Sequence, residues 1–403
     1  MKSYIGKTFP NAFLVVPLSN EHCGPGLWRL SPLFRSPTQI AKLNAFLVPD
    51  PLKRHVLECF ATGFISHFEY PPPAPWGHVE NYALVKDSEG VKALRKRMKK
   101  EVLSGRVIGG PGWSATTVRQ FFGGADFYGI PCNATEKNGD PRGRIVHDYG
   151  YFEKGSYSVN AAHSSTTVKY PTLCERVAIL QDIQWYVKAD LANGFRQFGT
   201  HPNDWRYQVY CNGPREHYID LACPFGKTNS TLEFCPPVAL FAKSVVERYT
   251  SRVIPRIPRL GSYVDDIFGG LRHAPSYKHA YNFRQYICET GKSLTLSFNM
   301  ELHKTPLPAK RQVILGCLYD SVSRKVRTAE KKRRKYIKRI TDLLTTSTTS
   351  VTILQKLHGN LNYAAEVAPF GRPFLAPLTN AITAADHEGS TPVTEAMRAG
   401  LQI

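Results

Sequence analysis

Apolar residues recur at helical spacing in two stretches near the start of the chain, residues 31–70 and 91–106. In the second stretch the apolar positions are Val91, Leu94, Met98 and Val102. The face opposite them is almost entirely Lys and Arg, which is typical either of a solvated helix face or of a surface that contacts phosphates. We predict helices over both stretches.

Breaks and turns divide the rest of the chain. The Pro-rich sequence at 70–77 separates the two helical stretches, and the Gly-rich sequence at 109–113 ends the second one, which predicts a domain boundary near its end. Short apolar runs between residues 121 and 178 alternate with turn sequences and predict strands. Residues 329–380 again have a helical pattern, and their first turns carry the strongly basic sequence 331–339.

Three shorter patterns lie between these regions. Residues 185–195 read as a buried strand that runs into a helix, and residues 238–248 read as a helix. The sequence GSYVDDIFGG at 261–270 predicts a β-hairpin with Asp265 and Asp266 at or near its turn.

Charge and cysteine content limit the partners of this 403-residue chain. Lys and Arg total 52 against 32 Asp and Glu, a formal charge of +20, which favours nucleic acid as a partner. The nine cysteines have no spacing typical of a zinc site. They predict reduced, mostly buried thiols in an intracellular protein, cytoplasmic or nuclear. No apolar stretch reaches the roughly 18 residues that a membrane span requires.

The adjacent carboxylates Asp265 and Asp266 need an explanation, because like charges at this spacing repel each other. Asp190 ends an apolar, strand-like segment upstream. Nucleotidyl transfer with two Mg²⁺ requires carboxylates from separate strands, and a divalent cation between them turns repulsion into attraction. We predict that these three aspartates bind two Mg²⁺, with Mn²⁺ as a substitute.

The segments KADLANGFRQF, CPFGKTNSTLEF, YVDD and ILGCLYDS resemble, in this order, motifs A, B and C and the primer grip of retroelement reverse transcriptases. Further segments, GRIVHDYG, VKYPTL, HPNDW and LHGNLNYAAEVAPFGRPFLAPL, most resemble the tyrosine-recombinase-encoding (DIRS-like) and gypsy-like elements. The resemblance covers about residues 31–403. The chain departs from it at Gly194, where motif A usually has Ala, and at Ser230-Thr231, where motif B usually has Ala-Pro.

The resemblance implies roles for motif A. The carbonyl oxygen of Leu191 would join the carboxylate of Asp190 as a metal ligand, together with the Asp265–Asp266 pair. Phe195 would pack under the sugar of the incoming nucleotide and exclude a ribose 2′-hydroxyl. The alternative for Phe195 is an ordinary core residue.

Other residues of the resemblance would bind substrate. Lys137 and Arg144 would grip the triphosphate, since guanidinium suits bidentate phosphate contact and ammonium acts as a point charge. Gly226 would let the backbone approach template and nucleotide, and Gln197 and Phe225 would line the same pocket.

Three later residues also match the family. Lys304, in ELHKTPL, matches a lysine able to protonate the leaving pyrophosphate. Leu315 and Gly316 match the primer grip and would position the primer terminus.

Together these features predict an α+β chain with the right-hand polymerase fold. A basic helical N-terminal extension would span 1–110, fingers 111–185, a palm on an antiparallel sheet 186–320, and a helical thumb and connection 321–403. The implied function is RNA-directed DNA synthesis, the addition of dNTPs to a primer 3′ end on an RNA or DNA template. An RNase H domain or other proteins of the element would be partners.

Two alternatives remain. The first is a catalytically decayed or domesticated copy that binds nucleic acid, although three buried carboxylates without compensation would cost it stability. The second is a viral RNA-dependent RNA polymerase, against which Phe195 argues, because such an enzyme admits the 2′-hydroxyl.

Overall fold

A computed structural model describes residue 29 and residues 31–401, except 67, 70–73, 138–139, 164–167, 251–256, 275, 369 and 386–389. The side chains of residues 84, 137 and 140–144 also lie outside the described part.

The N-terminal part is mainly helical, with α1 at Pro37–Phe46, α2 at Lys53–Thr62, α3 at Ala83–Lys86 and α4 at Ser88–Leu103. Ser36 caps α1 and Asp87 caps α4, each by accepting a hydrogen bond from a backbone N–H of the first turn. The helix predicted over 91–106 is confirmed. The helical stretch predicted over 31–70 contains two helices, α1 and α2, which Pro49 and Pro51 separate.

A four-stranded sheet follows. Its strands are β1 (Val107–Pro111), β2 (Gly129–Ile130), β6 (Val209–Cys211) and β7 (Glu216–Asp220), in the spatial order β1-β7-β6-β2. The short β2 runs parallel to β6, and the other pairs are antiparallel. The boundary predicted near residue 110 falls within β1, which pairs with a strand that comes much later in the sequence.

Strands were predicted between residues 121 and 178, and two of the strands found there form a hairpin, β3 (Cys132–Lys137) with β4 (Asp140–His147). This region and its neighbours also contain helices α5 (Ala115–Phe121), α6 (Val159–Ala162) and α7 (Leu173–Leu180). A capping box between Thr172 and Glu175 begins α7.

A three-stranded antiparallel sheet carries the aspartates. It consists of β5 (Ile183–Asp190), β8 (Pro258–Tyr263) and β9 (Asp266–Arg272), in the order β5-β9-β8. The strand and the hairpin predicted here are confirmed. The β5–β9 register shifts at a bulge between Ile183 and Tyr186 and is regular from Tyr186 to Asp190.

Two long helices cover this sheet. α8 (Ser230–Thr250) packs against β8, and α9 (Tyr277–Ser293) packs against β5 and β9. The largest core cluster lies between them and includes Val187, Phe234 and Phe283. Two 3₁₀ helices, Gly194–Gln197 and Pro202–Tyr207, connect β5 to β6.

The C-terminal part begins with a three-stranded meander and continues as helices. Its elements are β10 (Arg311–Ile314), β11 (Cys317–Asp320), β12 (Lys325–Thr328), α10 (Glu330–Leu344), β13 (Thr348–Ser350), α11 (Val351–Ala364), a 3₁₀ helix (Arg372–Leu375), α12 (Ala376–Ala384), β14 (Ser390–Pro392) and α13 (Glu395–Leu401). The helix predicted over 329–380 is therefore not continuous. A Thr/Ser-rich segment interrupts it, and β13 within that segment pairs with β14.

Eight described cysteines are free thiols, and six of them are buried, as predicted. Within the described residues, no helix combines the length and the apolar character needed to cross a membrane.

Candidate active site

The β8–β9 hairpin presents Asp265 at its tip. Tyr263 pairs with Asp266, so Val264 and Asp265 form a two-residue turn. Val264 has a φ of 53°, a left-handed conformation that is unusual for a β-branched residue. Strain of this kind costs about 1–3 kcal/mol and persists where the surrounding structure enforces it.

Strand register brings the third aspartate to the same place. Asp190 is the last residue of β5 and lies directly opposite Asp266 of β9. The next residue, Leu191, donates its backbone N–H to the carbonyl oxygen of Asp265 at 2.9 Å. One edge of one sheet therefore holds all three carboxylates.

The surroundings of two of these carboxylates, Asp190 and Asp265, disfavour their charged forms. Burial raises the pKa of Asp190, and the charge of Asp266 adds to the effect while Lys304 opposes it. Burial also raises the pKa of Asp265, followed by repulsion from Asp266 and Asp190. Lys188 lies 3.0 Å from Asp266 and is the counter-ion built into the sheet. Negative charge gathers here with few internal cations to balance it.

These side chains fit a hard divalent cation, because carboxylate and carbonyl oxygens are the ligands that Mg²⁺ prefers. Leu191 is buried, and its carbonyl accepts one hydrogen bond, from Gly194 N–H at 3.3 Å, which leaves it a second lone pair. The oxygens of the three aspartates do not all lie within 4.8 Å of one another.

A cavity of about 970 Å³ opens beside Asp265. Its walls include Asn193, Phe225, β4 and the basic face of α4. The lysines of that face are Lys92, Lys96 and Lys100, spaced one helical turn apart. The basic face of α4 therefore lines the same cavity as a candidate metal ligand, which the sequence pattern alone did not reveal.

Phe195 lies in the 3₁₀ helix after β5 and is only 8% exposed. Its ring contacts Phe225 at a centroid distance of 5.0 Å and Phe234 at 4.8 Å. Phe225 is 52% exposed and lines the cavity. Phe195 thus belongs to the core cluster and supports a ring that faces the cavity.

Gly226 and Gln197 have structural contacts. Gly226 has a φ of 95°, and a Cβ there would lie 2.9 Å from the carbonyl oxygen of His147, so β4 approaches its backbone closely. The side-chain amide of Gln197 donates to the carbonyl oxygens of Ala192 and Ser297 and accepts the N–H of Ser297. This places the Gln197 side chain between two loops and not among the residues that line the cavity.

Lys137 and Arg144 lie on the β3–β4 hairpin, where Lys137 pairs with Asp140 and Arg144 with Thr135. Their side chains lie outside the described residues. Lys304 is exposed and close enough to Asp190 and Asp265 to lower the pKa of each, against the larger effect of burial.

Leu315 and Gly316 form the turn between β10 and β11, with φ values of 49° and 80°. The Tyr363 hydroxyl of α11 donates a hydrogen bond to the carbonyl oxygen of Leu315. The Lys332 ammonium of α10 lies 4.0 Å from the centre of the Tyr363 ring. Helices α10 and α11 therefore hold this turn together, through Lys332 and Tyr363.

A buried ion network adjoins the same cavity, whose lining includes Glu101, Arg196 and Tyr210. Arg196 of the 3₁₀ helix donates hydrogen bonds to Glu101 of α4 at 2.9 Å and to Asp220 of β7 at 2.5 Å. Arg106 donates to Glu101 at 2.8 Å, and the Tyr210 hydroxyl donates to Asp220 at 2.6 Å. The segment that follows Asp190 is thereby tied to α4 and β7. Sequence reasoning missed this network, because its members are far apart along the chain.

No protein-family model and no curated protein sequence matches the chain. Several solved structures match its fold. A foamy viral protease-reverse transcriptase dRH in complex with double-stranded DNA matches with a TM-score of 0.58 and 16% identity, over 92% of this chain and 59% of that one. A foamy viral protease-reverse transcriptase in complex with an RNA/DNA hybrid matches with a TM-score of 0.59 and 16% identity, over 91% of this chain and 45% of that one.

The same viral protein in complex with double-stranded DNA gives a TM-score of 0.54 at 16% identity, over 91% of this chain and 69% of that one. The chain thus spans only 59% and 45% of the first two structures that it matches. At this identity the likeness concerns the fold, and the chain has a mixed α+β, reverse-transcriptase-like fold.

Proposed function

We propose that the chain is an RNA-directed DNA polymerase that adds dNTPs to a primer 3′ end. The observation that carries the proposal is the β5–β9 register, which sets Asp190 opposite Asp266 and places Asp265 at the adjoining hairpin tip. In this proposal the β5-β9-β8 sheet is the palm of a right-hand polymerase. The elements around the β3–β4 hairpin are its fingers, and the C-terminal helices are its thumb.

Asp190, Asp265, Asp266 and the carbonyl oxygen of Leu191 would hold two Mg²⁺, or Mn²⁺ in their place. When bound, the ions lower the pKa of the primer hydroxyl and neutralise charge on the leaving pyrophosphate. Burial raises the pKa values of Asp190 and Asp265, and repulsion between the aspartates adds to the effect. A divalent cation would relieve that repulsion, which supports this donor set.

The cavity beside Asp265 would receive the incoming triphosphate or the template strand. Lys92, Lys96 and Lys100 of α4 give it positive charge, and phosphates are attracted to such a surface. Lys137 and Arg144 of the β3–β4 hairpin would add to the triphosphate grip, and Lys304 would supply a proton to the leaving group. The turn at Leu315 and Gly316 would hold the primer end.

The partners follow from charge and fold. The net charge of +20 suits a primer–template duplex, and the structural neighbours are complexes with double-stranded DNA or an RNA/DNA hybrid. The resemblance of the motifs supports an origin in a DIRS-like or gypsy-like retrotransposon, with an RNase H domain or other element proteins as partners.

Primer extension on poly(rA)/oligo(dT) tests the reaction. We expect wild-type protein to extend the primer with dTTP and Asp265→Asn to lose at least about a hundredfold in rate, because a lost metal ligand removes transition-state stabilisation. Primer–template affinity should stay nearly unchanged in the variant.

Asp182→Asn is the matched control, because Asp182 lies at the far end of the same sheet and pairs with Arg272 at 2.7 Å. It should retain wild-type activity. Binding without extension by the wild type would instead identify a non-catalytic nucleic-acid-binding protein, and equal activity of Asp265→Asn would refute the metal site.

Sugar selection tests the role of Phe195. If its ring occupies the space of a ribose 2′-hydroxyl, Phe195→Val should raise ribonucleotide incorporation relative to dNTP incorporation at least about tenfold, or about 1.4 kcal/mol. Phe198→Val is the control, because Phe198 also packs on Phe234, at 5.0 Å, and is fully buried. Equal relaxation in both variants would mean that loosened packing, not steric exclusion, changes the selectivity.

A further inference from the structure

Three potential metal ligands meet at the four-stranded sheet, away from the aspartates. Cys211 of β6 pairs directly with His217 of β7, so the two side chains project from the same face of the sheet. His78, which precedes α3, joins them from a distant part of the sequence. The ligand atoms of the three side chains lie within 4.8 Å of one another, and no other such group of three occurs among the described residues.

Neighbouring groups orient these ligands. The Nδ1 atom of His217 lies 2.9 Å from the carbonyl oxygen of Trp113, and because a carbonyl can only accept, this nitrogen carries the proton. The Nε2 atom of His217 therefore keeps a lone pair, and it points at the Nδ1 atom of His78, 3.1 Å away. Histidines that bind metals are commonly oriented through the other ring nitrogen in this way.

The spacing agrees with tetrahedral coordination. Two imidazole nitrogens on one zinc ion lie about 3.3 Å apart, given Zn–N distances of about 2.0–2.1 Å. The observed nitrogen–nitrogen distance is 3.1 Å. Cys211 and His217 are buried, whereas His78 is partly exposed, so water can reach the group as a further ligand.

We infer that His78, Cys211 and His217 bind one zinc ion or another borderline-soft divalent cation. One sulfur and two imidazole nitrogens select such an ion, whereas Mg²⁺ prefers the oxygen ligands of the aspartates. A simple hydrogen bond between the two imidazoles is the competing explanation for their contact.

The site would fasten the segment before α3 to the sheet. That segment already makes polar links to it: Trp76 donates to the carbonyl oxygen of Gly129 at 2.8 Å, and Asn81 donates to that of Cys211 at 2.6 Å. His78 lies between Trp76 and Asn81 in the sequence, so a metal ion bound to it would add a third attachment of this segment to the sheet. The site is thus structural and does not depend on the proposed polymerase activity.

Cobalt titration tests the site directly. Full-length protein without a histidine tag is stripped with a chelator and titrated with Co²⁺ in excess Mg²⁺, which occupies carboxylate sites. We expect one equivalent of Co²⁺ to produce a thiolate-to-cobalt charge-transfer band, and zinc to displace it. Thermal unfolding should shift to higher temperature with zinc.

Two variants and a control decide the outcome. His78→Ala should fold, since His78 is partly exposed, but should bind zinc at least about tenfold more weakly and lose the zinc-dependent thermal shift. Cys211→Ser should lose the charge-transfer band, and Cys288→Ser, at a buried cysteine outside the group, should keep both. Absence of the band in folded wild-type protein, or unchanged zinc affinity in His78→Ala, would overturn the inference and leave a hydrogen-bonded histidine pair.

Discussion

Two groups of carboxylates adjoin the same 3₁₀ helix, Gly194–Gln197, and they differ in how far cationic side chains balance their charge. Glu101 and Asp220 are buried against Arg196, and Arg106 adds a second guanidinium to Glu101. Asp190, Asp265 and Asp266 lie at the edge of the β5-β9-β8 sheet, where Lys188 forms the one ion pair that they have among the described residues.

The pKa values follow from this difference. Burial alone would raise the pKa of Glu101, but Arg106, Arg196 and Arg97 lower it to about 2. At the sheet edge, burial and mutual repulsion leave the pKa values of Asp190 and Asp265 raised. The first group is neutralised from within and holds the fold together. The second group keeps negative charge that the protein does not balance, and an external cation can neutralise it.

The largest expected effect is on stability in the first group. Glu101→Gln should lower the free energy of unfolding by about 3–5 kcal/mol, because it removes the counter-charge of Arg106 and one of the two counter-charges of the buried Arg196. Glu89→Gln on the same helix is the control, because its partner Lys92 is exposed and a solvent-exposed ion pair adds little to stability. Denaturant unfolding measures both, and equal losses would break the comparison.

A smaller effect should appear on acidification. The pKa of Glu101 is about 2 in the folded chain and about 4.5 when unfolded, so the unfolded chain binds more protons between these values. The stabilisation by Glu101 should therefore be complete above this window and decrease as the pH falls through it. The wild type should approach Glu101→Gln in stability between about pH 5 and about pH 3. A constant difference over this range would contradict the assignment.

The smallest effect should come from the sheet edge. Without divalent cations, Asp265→Asn should change the free energy of unfolding by no more than about 1 kcal/mol, in the stabilising direction, because one of three like charges is removed. Mg²⁺ should then raise the melting temperature of the wild type more than that of the variant. A large destabilisation in the variant would show that Asp265 supports the fold.

Local patterns were sufficient to predict the hairpin that carries Asp265 and the helix α4. In each case the signal lies within one short segment: two strands joined by a tight turn, or apolar residues at three-to-four spacing. The division of the helical stretch 31–70 into α1 and α2 has a local cause too, since Pro49 and Pro51 lie between the two helices.

Contacts between distant segments could not be predicted. Arg196 and Glu101 are 95 positions apart, and His78 and His217 are 139 apart. No periodicity links such residues, because their meeting depends on how the four-stranded sheet packs against the segments around it. The lysines of α4 had a recognisable spacing, but only the fold shows that they line the cavity beside Asp265.

The bulge in β5 determines where this strand can gain or lose a residue without disrupting the sheet. Between Tyr186 and Asp190 each residue has a fixed partner in β9, so one inserted residue would turn the Asp190 side chain to the opposite face of the sheet. Between Ile183 and Tyr186 the ladder is already irregular, and a further residue could be absorbed there. Insertions and deletions in related chains should therefore be found near the start of β5 and be absent from its last five residues.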